Sequence, residues 1–511
     1  MGLKTLQKQA LELNDVASMV KLGKIYLLGI GVDKNEKEAY KWFEKASNMS
    51  NAEAKTFIAY MYLNGIVVKQ DDKKAVEFYK RAADLGDPVA CYTVGLIYKK
   101  GLIDQDPNPK MAQKYFELGA EKGNTGAKYE LSIEEAREAF NQIKSIDPIK
   151  QEEGYKTLLK LEPIYKAAAD NGIITAKYAL GVIYAKSKDK EKQKLAAPIF
   201  EECVQSNINS AYMALGYVYD LGIGVDVDYW KSFECYEKAY RKGNKKAILN
   251  IIYANIMGLG CTQNFTSAIN LARDAVNSGI KEANYFAGIL FKHGFGVEKN
   301  VDKAEELFGY AADAGFGPAV YQLGLLADPF HGMGNDEKVA VSNYKKAYEL
   351  GILDAGAELA RIIYTKDKAK GLKELTNLAN SKSTRANEYL AVKFEEGDGV
   401  AKDLNKSRAY YKEAAKLGSK LAVEHLLDEA IKTSNKDDEL LYKSMKLEGG
   451  DTKEYAAFAK ECKEFSRFEL AAYWYAMAAD VTKDENRINK IENMLSKEYE
   501  KGQDGIWTKK A

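Results

Sequence analysis

The sequence predicts an all-α solenoid built from about a dozen helix-turn-helix repeats. Residues 283–319 place apolar side chains three and four positions apart on two successive stretches, with Gly294-Phe295-Gly296-Val297 between them. This period is typical of two amphipathic helices. Similar stretches recur along the chain, mostly 36 residues apart. Because neither helix of a repeat can bury its apolar face alone, the copies must stack on one another.

The first helix of each repeat, helix A, carries a small residue that we call the anchor. An alanine usually lies five residues before the anchor, and a large ring often follows three residues after it. The anchors are Gly23, Ala59, Gly95, Ser132, Gly181, Gly216, Ile252, Gly288, Gly324, Ala360, Ala391 and Leu427. Since small residues let helices approach closely while rings fill wider gaps, the anchors are predicted to lie in helix contacts.

The second helix, helix B, carries a large pair followed by small residues, as in Leu307-Phe308 and Ala311-Ala312. From this pair to the next anchor the spacing is 17 residues in nearly every repeat, whereas the connection inside a repeat varies. Stacking between repeats is therefore predicted to be constant. The fourth repeat, residues 127–175, is 13 residues longer and predicts two overhanging helices around a turn at Asp147-Pro148. A tolerated insertion and a docking arm are both open readings of this overhang.

The two ends of the array depart from the pattern. Residues 1–16 predict an N-terminal capping helix, and the regular solenoid spans 17–422. Residues 423–482 predict degenerate repeats, although 471–479 keep the helix B signature. Residues 483–511 predict a charged capping helix, from Glu485 to Lys501, and a tail. Polar capping elements are expected at both ends because they cover the last apolar faces.

Composition argues against several classes of function. The chain has 511 residues, with 75 basic and 74 acidic side chains, so its formal charge of +1 provides no field for nucleic acid. No apolar run reaches the ~18 residues of a membrane span, and no signal peptide is expected. The five cysteines are odd in number and share no repeat position, which predicts reduced thiols and a cytoplasmic location.

No motif for catalysis, a cofactor or a metal is expected. The Gly-x-Gly-Val loops follow helices rather than strands, so they predict left-handed helix ends and not dinucleotide-binding turns. The three histidines, His293, His331 and His425, lie in different repeats without a ligand partner at metal-binding spacing. Carboxylates are numerous but fall on solvated helix faces. The predicted catalytic, cofactor and metal sites are therefore none.

The recurring pattern A-x-x-x-L-G-x-x-Y-x-x-G-x-G-V, followed by A-x-x-W/F-Y/F-x-x-A-A, resembles the Sel1-like repeat, a relative of the tetratricopeptide repeat. Matching copies include Leu22-Gly23, Tyr26, Gly29, Gly31-Val32 and Trp42-Phe43, and Leu215-Gly216, Tyr219, Gly222 and Gly224-Val225. The resemblance implies an α/α superhelix that serves as an adaptor in multiprotein complexes. The predicted function is accordingly a non-catalytic scaffold that binds a partner protein or peptide. The alternatives are a regulatory sensor of a small ligand or cell-wall fragment and, less favoured, an enzyme with an unrecognised site.

Positions three before, one after and four after each anchor point away from the packed face of helix A. By the same resemblance they line a concave groove, and we call them the groove positions. The predicted partner-binding residues are Tyr60, Tyr92, Tyr129, Tyr178, Tyr217, Tyr253, Tyr285, Lys292, Tyr321, Arg361 and Tyr364, and Asp220 shares this face. Tyrosine suits recognition of an extended peptide or a partner helix. The tyrosines three before the anchor (92, 129, 178, 285 and 321) have packing within the repeat as an open alternative.

Overall fold

The computed structural model describes residues 2–102, 106–145, 147–331, 334–447 and 457–462, together with the backbone of 499–501 and 507–509. These residues are helical apart from turns and two short strands, which confirms the predicted all-α repeat fold. They fall into two compact segments, Met1–Ser206 and Asn207–Ala511. Each segment is a stack of helix pairs.

The first segment begins with the capping helix Leu3–Glu12 and continues with five helix pairs among its described residues. Helices A and B of repeats one to five are Val16–Leu28 with Glu36–Asn48, Ala52–Asn64 with Asp72–Asp84, Pro88–Lys100 with Pro109–Glu121, Thr125–Ile143 with Pro148–Asp170, and Ile174–Lys186 with Ala196–Gln205. A short helix, Lys190–Lys194, precedes the last of these.

The second segment contains seven further helix pairs within its described part. Repeats six to twelve are Ser210–Leu221 with Tyr229–Arg241, Ala247–Met257 with Phe265–Asn277, Asn284–His293 with Val301–Asp313, Gly317–Ala327 with Glu337–Glu349, Leu353–Lys366 with Lys368–Asn380, Thr384–Glu396 with Leu404–Lys416, and Lys420–Lys432 with Lys436–Leu447. Two 3₁₀ turns, Lys281–Ala283 and Pro329–His331, adjoin helix A of repeats eight and nine.

Polar caps and glycines set the ends of these helices. In repeat eight the side chain of Asn300 accepts the backbone N–H of Lys303 at 2.8 Å and caps helix B. Helix A of the same repeat ends at Gly294, whose left-handed φ of 75° lets its N–H bond to the carbonyl of Leu290. The Gly-x-Gly turns therefore terminate helices, as predicted. Repeat two departs from this rule, because Val67 holds the second left-handed position at φ 66°.

The core lies between helices A and B, where each glycine anchor faces a helix B ring. A Cβ atom added to Gly288 would lie 2.6 Å from Cε1 of Phe308, and the same clash recurs at the anchor glycines of five other described repeats. Only glycine leaves room for the ring there. Repeat seven has the large and small residues exchanged: Ile252 stands in place of the glycine and Ala272 in place of the ring. Both residues are fully buried.

The fourth repeat has the long helices that its sequence predicts. Helix A has 19 residues and helix B has 23, where 13 is the usual length. Asp147 caps helix B by accepting the N–H of Ile149 at 2.9 Å. Lys160 of helix B pairs with Glu135 of helix A at 2.9 Å, within the part of the helix pair that ordinary repeats also have.

The C-terminal prediction is wrong in its last residues. Tyr499–Lys501 form a strand that pairs antiparallel with Trp507–Lys509, whereas a helix to Lys501 was expected. Tyr499, Trp507 and Thr508 are aromatic or β-branched, and such residues favour strands over a helix end. The rest of the predicted capping helix, and the helix B signature at 471–479, lie outside the described residues.

Candidate functional site

Three tyrosines at groove positions are open to solvent. Tyr60, Tyr217 and Tyr253 each follow an anchor by one residue, and their exposed fractions are 44%, 40% and 45%. Tyr217 and Tyr253 occupy equivalent positions of the adjacent repeats six and seven. An exposed large ring with a polar tip offers contact area at low entropic cost, which suits partner binding. These three residues are the accessible aromatic part of the predicted site.

The tyrosines three before the anchor behave differently, because each contacts the helix B ring of its own repeat. The contacts are Tyr92–Phe116, Tyr129–Tyr165, Tyr178–Phe200, Tyr285–Phe308 and Tyr321–Tyr344, with ring centroids 5.1–6.2 Å apart. Tyr129 is buried and the other four are half-buried. This repeated contact favours the packing alternative for all five.

Arg361 and Tyr364 are held by the chain itself. The guanidinium of Arg361 pairs with Asp328 and with Glu358, and only 14% of its side chain is exposed. Tyr364 is buried, and its hydroxyl donates to the carbonyl of Asp398 at 2.9 Å. Both side chains are therefore poorly placed to contact a partner, because their polar groups already have partners inside the fold.

Lys292 is the remaining predicted groove residue. Its side chain is half-buried, and its Nζ donates to Oε1 of Gln322 at 2.8 Å. Burial lowers the pKa of this amine, which has no carboxylate partner among the described residues. A partly buried cation without an ion pair is suited to an acidic group from outside.

Repeats nine to eleven contain a buried polar cluster that sequence reasoning missed. Glu358 is fully buried and accepts hydrogen bonds from Nε of Arg361 at 2.9 Å and from the hydroxyl of Tyr389 at 2.7 Å. Asp328 accepts the hydroxyl of Tyr344 at 2.9 Å and a guanidinium N–H of Arg361. Nε of Arg385 lies 3.2 Å from Oε1 of Glu358. Burial raises the pKa of Glu358, but its charged and hydrogen-bonding neighbours outweigh burial and lower it overall.

His331 joins this cluster, with Nε2 3.3 Å from Glu358 and 3.9 Å from Asp328. The ligand-type atoms of these three residues lie within 4.8 Å of one another, close enough to share a metal ion. Arg361, however, already donates to both carboxylates. A cation would have to compete with this guanidinium, so the cluster is better explained as an ion-paired network.

One local signal could have revealed the cluster. Where other repeats have Gly-x-Gly, repeat nine has Asp328-Pro329-Phe330-His331, and helix A ends early at Ala327. Phe330 is 62% exposed, and the guanidinium of Arg361 lies 4.0 Å from the centre of its ring. The departure from the turn pattern therefore marks the place where the core becomes polar.

The overhang of the fourth repeat forms the wall of a cleft of about 360 Å³. Lys188 and Lys192 of repeat five pair with Glu152 and Glu162 of helix B, each at 2.6 Å. Leu159 of the same helix is 62% exposed. The overhang is thus tied to the next repeat by ion pairs, and its role as a docking arm stays a prediction.

The Sel1 repeat model matches just over half of the chain, at residues 16–51, 52–87, 88–124, 209–244, 281–316, 318–352, 384–419 and 468–482. The chain belongs to the Sel1 repeat family, whose members are generally protein-interaction scaffolds rather than catalysts. Seven of the matched segments coincide with helix pairs described above.

Individual relatives are distant. The chain is 28% identical over 177 residues to the DAP3-binding cell death enhancer 1 of Mus musculus, which covers 32% of this chain and 33% of that protein. It thus spans a third of the length of this relative. Among solved structures it is similar to c5321, a protective antigen of uropathogenic Escherichia coli, with 21% identity, full coverage of both chains and a TM-score of 0.35. A Sel1 repeat protein of Oxalobacter formigenes shares 21% identity over 70% of this chain and 90% of that one, with a TM-score of 0.31.

Within the part of the chain that the structure describes, no helix combines the length and apolar character needed to cross a bilayer. All five cysteines lie in described positions and none of them forms a disulfide, and burial raises the pKa of the Cys261 thiol to about 11.

Proposed function

We propose that this chain is a non-catalytic scaffold that binds a segment of a partner protein across helix A of repeats six and seven. The observation that carries the proposal is the pair of exposed rings, Tyr217 and Tyr253, at equivalent positions of adjacent repeats. The tyrosines three before the anchor pack their rings against helix B. Tyr217 and Tyr253 instead follow their anchors by one residue. Membership of a scaffold family supports the same reading.

A protein partner is also the kind of ligand named for a relative, the DAP3-binding cell death enhancer 1. Because the similarity covers only a third of that protein, it supports a protein partner as a class and not its identity. Reduced thiols agree with the proposed cytoplasmic location.

Quantitative capture from a native lysate tests the proposal. The full chain is compared with Tyr217→Ala/Tyr253→Ala and with a matched control, Tyr240→Ala/Tyr310→Ala. Tyr240 and Tyr310 lie on helix B and are as exposed, at 43% and 50%. Truncating an anchoring tyrosine at an interface costs about 2 kcal/mol or more, roughly 30-fold in affinity. Binding lost in the first variant and kept in the control supports the proposal.

Equal binding by all three proteins would refute the tyrosine site and direct attention to the overhanging fourth repeat. Circular dichroism melts of each variant must match the wild type, so that a loss of binding is not a loss of folding. The first alternative is a small-ligand sensor. An open cleft of about 330 Å³ in repeats seven and eight, lined by Ile269, Val276, Phe291 and Leu307, is within the size range of ligand sites. Its apolar lining suits a hydrophobic ligand better than a cell-wall fragment.

A further inference from the structure

The carboxylate of Asp220 is an uncompensated charge on the proposed binding surface. Asp220 lies three residues after Tyr217 on helix A of repeat six, so the two side chains share one face. It is half-buried, yet it makes no hydrogen bond or ion pair with any residue that the structure describes. Burial alone raises the pKa of this carboxyl.

The equivalent position of other repeats shows that this is exceptional. Four residues after their anchors, Lys99 pairs with Glu130, Asp328 with Arg361, and Glu395 with His425 and the Tyr411 hydroxyl. Lys292 at least donates to a neutral amide. A charged residue here is therefore normally satisfied within the fold, and Asp220 is not.

The surroundings of Asp220 define what could satisfy it. Asp220 and Tyr253 line the same cleft, with Tyr236 and Asn250 beside them, and the cleft of about 20 Å³ has room for one water molecule. A partner that covered this surface with apolar groups would strip water from the carboxylate and leave it unpaired, which is strongly unfavourable. A partner with an ammonium or guanidinium group would instead pair with the carboxylate. Its aliphatic stem could pack on the exposed tyrosine rings, which also attract cations.

We infer that Asp220, flanked by Tyr217 and Tyr253, receives an arginine or lysine side chain of the bound partner segment. The inference rests on the proposed function, because it names the chemistry of the partner at the same surface. This ion pair would contribute specificity as well as affinity, because a segment without a basic residue would bury the Asp220 carboxylate without a partner.

A phage-displayed library of random 12-residue peptides, selected on the immobilised full chain, tests the inference. Enriched peptides are expected to share a basic residue, and changing it to glutamine should weaken binding to the wild type about 10- to 100-fold. The same peptide change should matter less than threefold on the isosteric Asp220→Asn variant. Asp226→Asn, an exposed carboxylate in the loop of the same repeat, is the matched control and should behave as wild type.

Enriched peptides without a basic residue, or an equal loss on wild type and Asp220→Asn, would overturn the inference. If such peptides still lose affinity on Tyr217→Ala/Tyr253→Ala, the proposed scaffold function stands without it. If neither the tyrosine pair nor Asp220 affects binding, both fail. The same selection is run on the immobilised Asp220→Asn variant. If no peptide is enriched more strongly on the wild type than on this variant, the inference also fails.

Discussion

Gly288 and Phe308 of repeat eight occupy the positions that Ile252 and Ala272 occupy in repeat seven. Replacing the first pair by the second tests how helices A and B are packed. Phe308→Ala alone leaves a cavity and should cost about 3–5 kcal/mol. Gly288→Ile alone drives a branched side chain into the Phe308 ring, whose Cε1 would lie 2.6 Å from the new Cβ. This overpacking should cost about 1–3 kcal/mol.

The double variant, Gly288→Ile/Phe308→Ala, recreates the pair found in repeat seven. It should be within about 2 kcal/mol of the wild type, although independent effects would sum to about 4–8 kcal/mol. The expected coupling is therefore at least about 2 kcal/mol. A control, Gly309→Ala, adds a Cβ where nothing lies within 4 Å and should stabilise helix B by about 1 kcal/mol.

Hydrogen–deuterium exchange is the appropriate assay, because a repeat array can open locally and one global free energy of unfolding is not defined. Protection of the helices in repeats seven to nine gives the local free energy of opening for each variant. A double variant whose loss equals the sum of the single losses would refute the idea that the anchor and the ring share one space.

Three further predictions concern other parts of the chain. Val67→Gly should raise the local stability of repeat two by about 1 kcal/mol because it relieves a left-handed backbone, while Val68→Gly should not; exchange in helix Ala52–Asn64 checks this. Because the pKa of Glu358 is lowered in the folded chain, this carboxyl takes up its proton first in the unfolded chain as pH falls. The stability that the Glu358 carboxylate contributes is therefore complete above the ordinary pKa of 4.5 and is lost as pH falls below that value. Glu358→Gln should therefore flatten the decline of local stability in acid and cost about 3 kcal/mol at neutral pH, as hydrogen–deuterium exchange of helix Leu353–Lys366 at several pH values would show. The Cys261 thiol, with its pKa raised to about 11, should react with iodoacetamide about 100-fold more slowly than in the urea-unfolded chain; equal rates would contradict its burial.

Local patterns in the sequence were sufficient for the fold. Anchors such as Gly288, ring pairs such as Leu307-Phe308 and the Gly-x-Gly turns each follow a rule that holds within one repeat, so the helices and their pairing could be predicted. The overhang of repeat four could be predicted because this repeat is 13 residues longer than most others. Val67 could not be anticipated, because its strain appears only once the turn is built.

The site was harder to predict because its residues depend on contacts between repeats. The rings of Tyr92 and Tyr285 lie on a face that periodicity assigns to solvent, but their length lets them reach helix B. Arg361 was predicted to be available, whereas Asp328, 33 residues earlier, holds it. Nothing in a chain rich in acidic and basic residues identifies that pairing in advance.

Site-specific photo-crosslinking tests the central claim most directly. A benzoylphenylalanine is placed at Tyr253 in one protein and at Tyr310 in another, and crosslinked products from native lysate are identified by mass spectrometry. The proposed scaffold predicts a specific partner protein attached at position 253 and absent at position 310. The same products at both positions, or none at position 253, would contradict a partner-binding surface on helix A of repeats six and seven.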